Sequence, residues 1–227
     1  MRDYACTEER FLKDAAQHTM TVLRDDGVHR HIRFKRPNEG AYWFDLITWP
    51  GTLCIDGDMG THVFRRLEDM FEFFRTDRDW IKEGATLAIN PSYWGEKLQA
   101  TSNFGKFKEF SEARFRENVR HHFENWCEDA EPDSEFATKL ELDEFEELKQ
   151  SLWDEIEEEV LSHAYDGETR AMDAALAFNN DEADFNFEDA WEWSCQEYTF
   201  HFIWCCYAIA WGVKTYDEAK AATKEAA

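Results

Sequence analysis

Apolar positions along this chain change period as the chain proceeds: residues 19–65 alternate or form short runs cut by turn residues, whereas most later segments repeat every three or four positions. A first helix is expected over residues 7–16, with Thr7 as its cap, Glu8 and Glu9 in the first turn, and Phe11, Leu12, Ala15 and Ala16 on one face. Residues 19–24 and 28–35 flank Asp25-Asp26-Gly27, which predicts a hairpin. Residues 42–49 form a third strand stopped by Pro50-Gly51. Residues 52–55 and 62–65 are shorter strands around Asp56-Gly57-Asp58-Met59-Gly60. Together these predict an antiparallel meander. Leu67, Met70, Phe71 and Phe74 then share a helical face over residues 67–75, and residues 92–100 read as a short helix after the break at Asn90-Pro91.

Beyond Gly105 the pattern is helical to the end. Phe107, Phe110, Phe115, Val119, Phe123 and Trp126 recur at helical spacing, and Glu131-Pro132-Asp133-Ser134 is a loop. Residues 143–163 are the clearest helix, with Phe145, Leu148, Leu152, Ile156 and Val160 as its stripe. Gly167 separates it from a helix over 168–178, and 179–186 is a polar loop. Residues 187–213 are apolar almost all round, which predicts the core of the helical part, and a short Ala-rich helix from Thr215 frays. The expected fold is α+β: an N-terminal antiparallel β-meander with flanking helices, then an acidic all-helical C-terminal half. Residues 1–106 form the α+β domain, and residues 107–227 form a helical region packed on it or a second domain.

Composition narrows the class. A chain with ten Trp and nineteen Phe has the apolar material for a core, which argues against disorder despite its charge. The apolar run 198–213 contains His201 and falls short of the roughly 20 residues a membrane span needs, so no membrane association is expected. No apolar signal run follows Met1-Arg2-Asp3-Tyr4. Cys6, Cys54, Cys127, Cys195, Cys205 and Cys206 include no C-x-x-C pair, so a cytoplasmic location with reduced thiols is expected. The net charge of −24 is not spread evenly. Residues 124–197 hold 26 Asp and Glu against Lys139, Lys149 and Arg170, a net of −23.

That imbalance selects the candidate site. On the helix over 143–163, Asp143, Glu147, Asp154 and Glu158 lie opposite the apolar stripe, flanked by Glu144, Glu155 and Glu157. Carboxylates at i,i+4 repel one another by a few tenths of a kcal/mol each, and so few bases cannot neutralise them. A solvated face that keeps the chain soluble is one account. A surface that imitates nucleic acid and enters a basic groove is the other.

Other constellations are weaker. His29 and His31 share a strand face, and His201 and Cys205 stand at i,i+4, but neither pair has two further ligands in view. The spacing in Asp56-Gly57-Asp58-Met59-Gly60 departs from the calcium-loop pattern and suits a tight turn. Cys205 and Cys206 lie in an apolar helix, where thiols are inert. No catalytic residue, metal ligand or cofactor is assigned, and no oligomeric state. The adjacent aromatics Tyr42, Trp43 and Phe44, followed by Trp49, place rings on both faces of one strand. Helices covering both sides of the sheet would explain them, and so would a patch for a partner.

Three segments resemble proteins encoded by bacteriophages and prophages: the run from Trp43 to Gly51, Gly57-Asp58-Met59-Gly60, and the run from Val63 to Arg75. They lie within residues 43–75 and exclude the acidic part of the chain. The resemblance implies an origin, and it carries no catalytic residue. Joined to the anionic surface, it leads to the expectation of a non-enzymatic inhibitor of a host nucleic-acid-targeting defence complex, of anti-CRISPR or anti-restriction type. Its partner would be a basic protein surface, with no direct nucleic-acid binding. Two alternatives stand beside it. One is a metal-dependent enzyme such as a nuclease, using His29, His31, Asp56 and Asp58. The other is a phage regulatory or assembly protein that binds through the aromatic block.

Overall fold

A computed structural model describes residues 6–76, 84–103, 105–133 and 136–225. Ser134 of the expected loop and the first five residues lie outside that set. The fold is α+β. The chain forms two compact units, Met1–Glu109 together with Tyr198–Ala227, and Phe110–Glu197.

The first unit is built on six strands in the order β1-β2-β3-β4-β5-β6, all antiparallel neighbours. Their ranges are β1 Thr19–Asp26, β2 His29–Lys35, β3 Phe44–Trp49, β4 Thr52–Gly57, β5 His62–Arg65 and β6 Leu98–Thr101. The expected meander is there, but its first turn is tighter than anticipated. Asp25 and Asp26 pair with Arg30 and His29, and Gly27 at φ +59 takes the left-handed position. β6 falls where a helix over 92–100 was expected. The helix there is only Pro91–Gly95, after which the chain turns back to pair with β5.

Alternation sends Ile32, Phe34, Phe44, Leu46, Leu53, Ile55 and Phe64 to one face, and that face forms a single core with four helices. They are α1 Glu8–Ala15, α2 Met70–Arg75, α3 Pro91–Gly95 and a long C-terminal helix. Thr7 caps α1 by accepting from the Arg10 backbone N–H, as expected, and Asp69 caps α2 by accepting from Phe71. The C-terminal helix Phe200–Glu225 corrects two expectations. Residues 187–198 are not part of it, and it is the core of the sheet unit rather than of the helical part. Its Gly212 makes the close approach: a Cβ there would stand 2.8 Å from Leu46 Cδ1 and 3.1 Å from the Phe34 ring. The Ala-rich tail continues the same helix to Glu225 rather than forming a separate one. No helix among the described residues is long and apolar enough to cross a membrane.

The second unit contains α4 Glu112–Ala130, α5 Lys139–Glu159 and α6 Glu168–Ala177, with a 3-10 turn at Leu161–Asp166 between the last two. Its own core holds Phe115, Val119, Leu152, Ile156, Val160, Phe178, Phe185 and Phe187. Short strands interrupt the expected run of helices. β7 Lys108–Phe110 pairs with β10 Gln196–Tyr198, and β8 Asn179–Asn180 pairs with β9 Phe185–Asn186 inside the anticipated polar loop. The C-terminal helix is accordingly α7.

Candidate partner-binding surface

The acidic helix starts earlier than its apolar stripe suggests. Thr138 and Glu141 form a reciprocal capping box: the Thr138 hydroxyl accepts from the Glu141 backbone N–H at 3.3 Å, and the Glu141 carboxylate accepts from the Thr138 backbone N–H at 2.7 Å. Those hydrogen bonds hold the Glu141 carboxyl below its ordinary range. The helix ends at Glu159, four residues before the expected end, where the chain tightens into the 3-10 turn. Burial of Phe145, Leu152 and Ile156 fixes its rotation. The ring of Trp126 on α4 lies 5.9 Å from Phe145, and Phe123 lies 4.8 Å from Trp153.

With the rotation fixed, the candidate carboxylates fall outward. Asp143, Glu144, Glu147, Asp154, Glu157 and Glu158 are exposed, and Glu155 is half-buried, accepting from Asn180 Nδ2 at 2.5 Å. Asp143, Glu147, Asp154 and Glu158 fall within roughly 60° of arc, with axial steps of about 6, 10.5 and 6 Å. Those steps span two to three nucleotides of a strand that rises about 3.4 Å per phosphate. Among the described residues, none of the seven carboxylates forms an ion pair. Lys149 is taken by Glu146 at 2.6 Å. The polar partners present are neutral: Gln150 donates to Asp154 at 2.7 Å, and the Trp153 indole donates to Glu157 at 3.0 Å. The negative charge of this face is therefore hydrogen-bonded in places but nowhere cancelled. Large apolar side chains stand exposed in the same unit: Phe136 and Leu140 beside the start of α5, and Tyr165 and Trp191 elsewhere. A periodicity reading passes over them because they belong to no buried stripe.

No protein family, curated protein or solved structure matches this chain. Functional assignment therefore rests on the site itself.

The remaining candidates are dispersed or already engaged. His31 Nε2 contacts Asp45 Oδ2 at 2.8 Å, and Arg33 closes a fork on the same carboxylate at 2.8 Å through both nitrogens. Asp45 is buried, and its carboxyl is held below the ordinary value by Arg33 and His31 against the opposing effect of desolvation. Asp56 accepts from the Thr61 hydroxyl, and Asp58 accepts from the Tyr42 backbone N–H. Among the described residues, no three of His, Cys, Asp and Glu gather where they could hold a metal ion. Cys205 is buried and directs its thiol at the Met59 carbonyl, while His201, one turn earlier on the helix, is exposed. The aromatic block divides as alternation requires, and the described helices that share the core of its unit pack on the face of Phe44 and Leu46. Phe44 and Leu46 enter the core, whereas Ile47, Trp49, Cys54 and Val63 lie on the opposite face, outside it.

Proposed function

We propose that this protein is a non-enzymatic inhibitor of phage origin that acts in the host cytoplasm. It occupies the basic groove of a nucleic-acid-targeting defence complex, of the anti-CRISPR or anti-restriction type. The observation that carries this reading is the outward face of α5, where six exposed carboxylates have no basic partner among the described residues. Charge of one sign held on a rigid helix attracts a cationic groove over about a Debye length and speeds encounter. Exposed Phe136, Leu140 and Trp191 supply the apolar anchoring that electrostatic steering alone lacks. The protein competes with nucleic acid for that groove and does not bind nucleic acid itself.

The test is charge reversal. The triple variant Glu147→Lys, Asp154→Lys, Glu158→Lys keeps the apolar stripe and the capping box, so circular dichroism should report an unchanged helix content. Pull-down from a host lysate should lose a cationic nucleic-acid-binding partner in the variant, and in the wild type should lose it at high salt. Full inhibition by the triple variant would sink the proposal. A second reading has its own observation, the sheet face opposite the core, which bears exposed Trp49 and half-buried Ile47 and Val63. Binding through that face, as in a phage regulatory or assembly protein, would persist at high salt and be lost in Trp49→Ser.

A further inference from the structure

The sheet unit has a cavity of about 590 Å³ beside β2, α2 and the last turns of α7. Arg30, Arg75, Lys220 and Lys224 line it, with Asp217 as the one carboxylate among the described lining residues. In a chain of net charge −24, four cations against the three carboxylates that pair with them, Asp25, Asp69 and Asp217, leave a local excess of positive charge.

Each cation except Lys224 is aimed by a carboxylate. Arg30, whose side chain is 9% exposed, donates to Asp69 at 2.8 and 2.7 Å, and its guanidinium lies 4.7 Å from the Phe71 ring centre and 5.7 Å from that of Tyr216. Its Nε has no hydrogen-bond partner, an uncommon state for a buried donor. Arg75 donates to Asp217 at 3.0 and 2.6 Å. Lys220 reaches Asp25 at 2.5 Å, and the Tyr216 hydroxyl donates to the same carboxylate at 2.9 Å. Asp25 and Asp69 hold Lys220 and Arg30 without lining the cavity themselves. Cations whose orientation is already fixed meet an anion without reorganising, which makes the interaction stronger than between free side chains. Ion pairs that served only to tie α7 to the sheet would not require Lys224 or leave Arg30 Nε unpaired.

We propose that this cavity binds a diphosphate group, either free or carried on a nucleoside, with Arg75, Lys220 and Lys224 on its oxygens and Arg30 as fixed positive charge in the wall. The volume lies within the range of small-molecule sites and exceeds what a single phosphate needs. Asp217 competes with the ligand for Arg75.

Calorimetric titration of the full chain at low ionic strength, with inorganic pyrophosphate and separately with ADP, tests this. Saturable one-to-one binding is expected. Tighter binding of ADP assigns the nucleoside-borne group, and equal or tighter binding of pyrophosphate assigns the free anion. Lys224→Glu, at an exposed position that leaves the core intact, should weaken binding at least roughly tenfold, and Asp217→Asn should tighten it severalfold. Absence of saturable binding by either probe, or affinity unmoved by both variants, overturns the proposal.

Discussion

His62 offers a sharp test of how the sheet unit is held together. Its ring is fully buried on the core face of β5, 5.4 Å from the Phe202 ring centre, and neither ring nitrogen has a hydrogen-bond partner. Burial pushes its pKa from 6.5 down to about 4, partly opposed by the Gly105 backbone and reinforced by His201. Above pH 6.5 the ring is neutral in folded and unfolded chains alike, and no penalty applies. As pH falls from 6.5 toward 4, the unfolded chain takes up a proton that the folded chain refuses. The folded state thereby forfeits roughly 3 kcal/mol, at about 1.4 kcal/mol per pH unit. Below about 4 the folded ring protonates too and the loss levels off. The acidic residues act with the opposite sign in that range, because protonating them relieves the self-repulsion of a chain at −24. A single pH curve would mix the two effects. Comparison with His62→Phe separates them, since the variant keeps an apolar ring in place and cannot titrate. Hydrogen exchange of peptides spanning β4 and β5, compared at each pH from 7.5 to about 4.5, reads the sheet unit alone. The stability gap between wild type and variant should move by about 2–3 kcal/mol in the variant's favour across that range. Parallel pH dependence in the two proteins would refute the account of His62.

Gly212→Ala should destabilise the sheet unit by about 1–2 kcal/mol in urea unfolding, because overpacking against Leu46 and Phe34 exceeds the roughly 1 kcal/mol gained in helix propensity; equal or greater stability would show that the sheet yields there. Burial raises the pKa of all six thiols, so access decides their order: in native protein at pH 8 an aromatic disulfide reagent should reach half-buried Cys54 and Cys127 before buried Cys6, Cys195, Cys205 and Cys206. Rapid modification of Cys205 or Cys206 without denaturant would contradict the packing of α7.

The parts of this fold legible in the sequence are those whose information is local. Alternation in residues 28–35 and 42–49, cut by Gly27 and Pro50-Gly51, identifies strands whose pairing needs only a tight turn. The stripe from Phe145 to Val160 likewise assigns the outward carboxylates of α5 before any packing is known. α7 was misplaced because residues apolar all round carry no direction. Nothing in Phe202 to Val213 says whether a sheet or a helical bundle will cover them, and Gly212 against Leu46 decides it only in three dimensions. β6 was missed for a related reason: Leu98–Thr101 is too short for a period, and its partner β5 lies across the whole of α2 and α3. The cationic cavity was equally invisible, since Arg30, Arg75 and Lys224 are unremarkable until β2, α2 and α7 bring them together.

The two units treat their carboxylates in opposite ways, and this bears on function. In the sheet unit the buried or partly buried aspartates are consumed: Asp14 by Arg10, Asp25 by Lys220, Asp45 by Arg33, Asp69 by Arg30 and Asp217 by Arg75. Four of these pairs bridge separate elements, so charge there serves to fix geometry. In the second unit the exposed carboxylates Asp143, Glu144, Glu147, Asp154, Glu157 and Glu158 of α5 have no basic partner among the described residues and weaken the helix by mutual repulsion. Solubility needs far less than a net of −23 over residues 124–197. Salt should therefore stabilise the acidic unit and, if the proposed function holds, weaken binding of the cationic partner it posits, two responses of opposite sign from one cause. A surface that only kept the chain in solution would show the first response without the second.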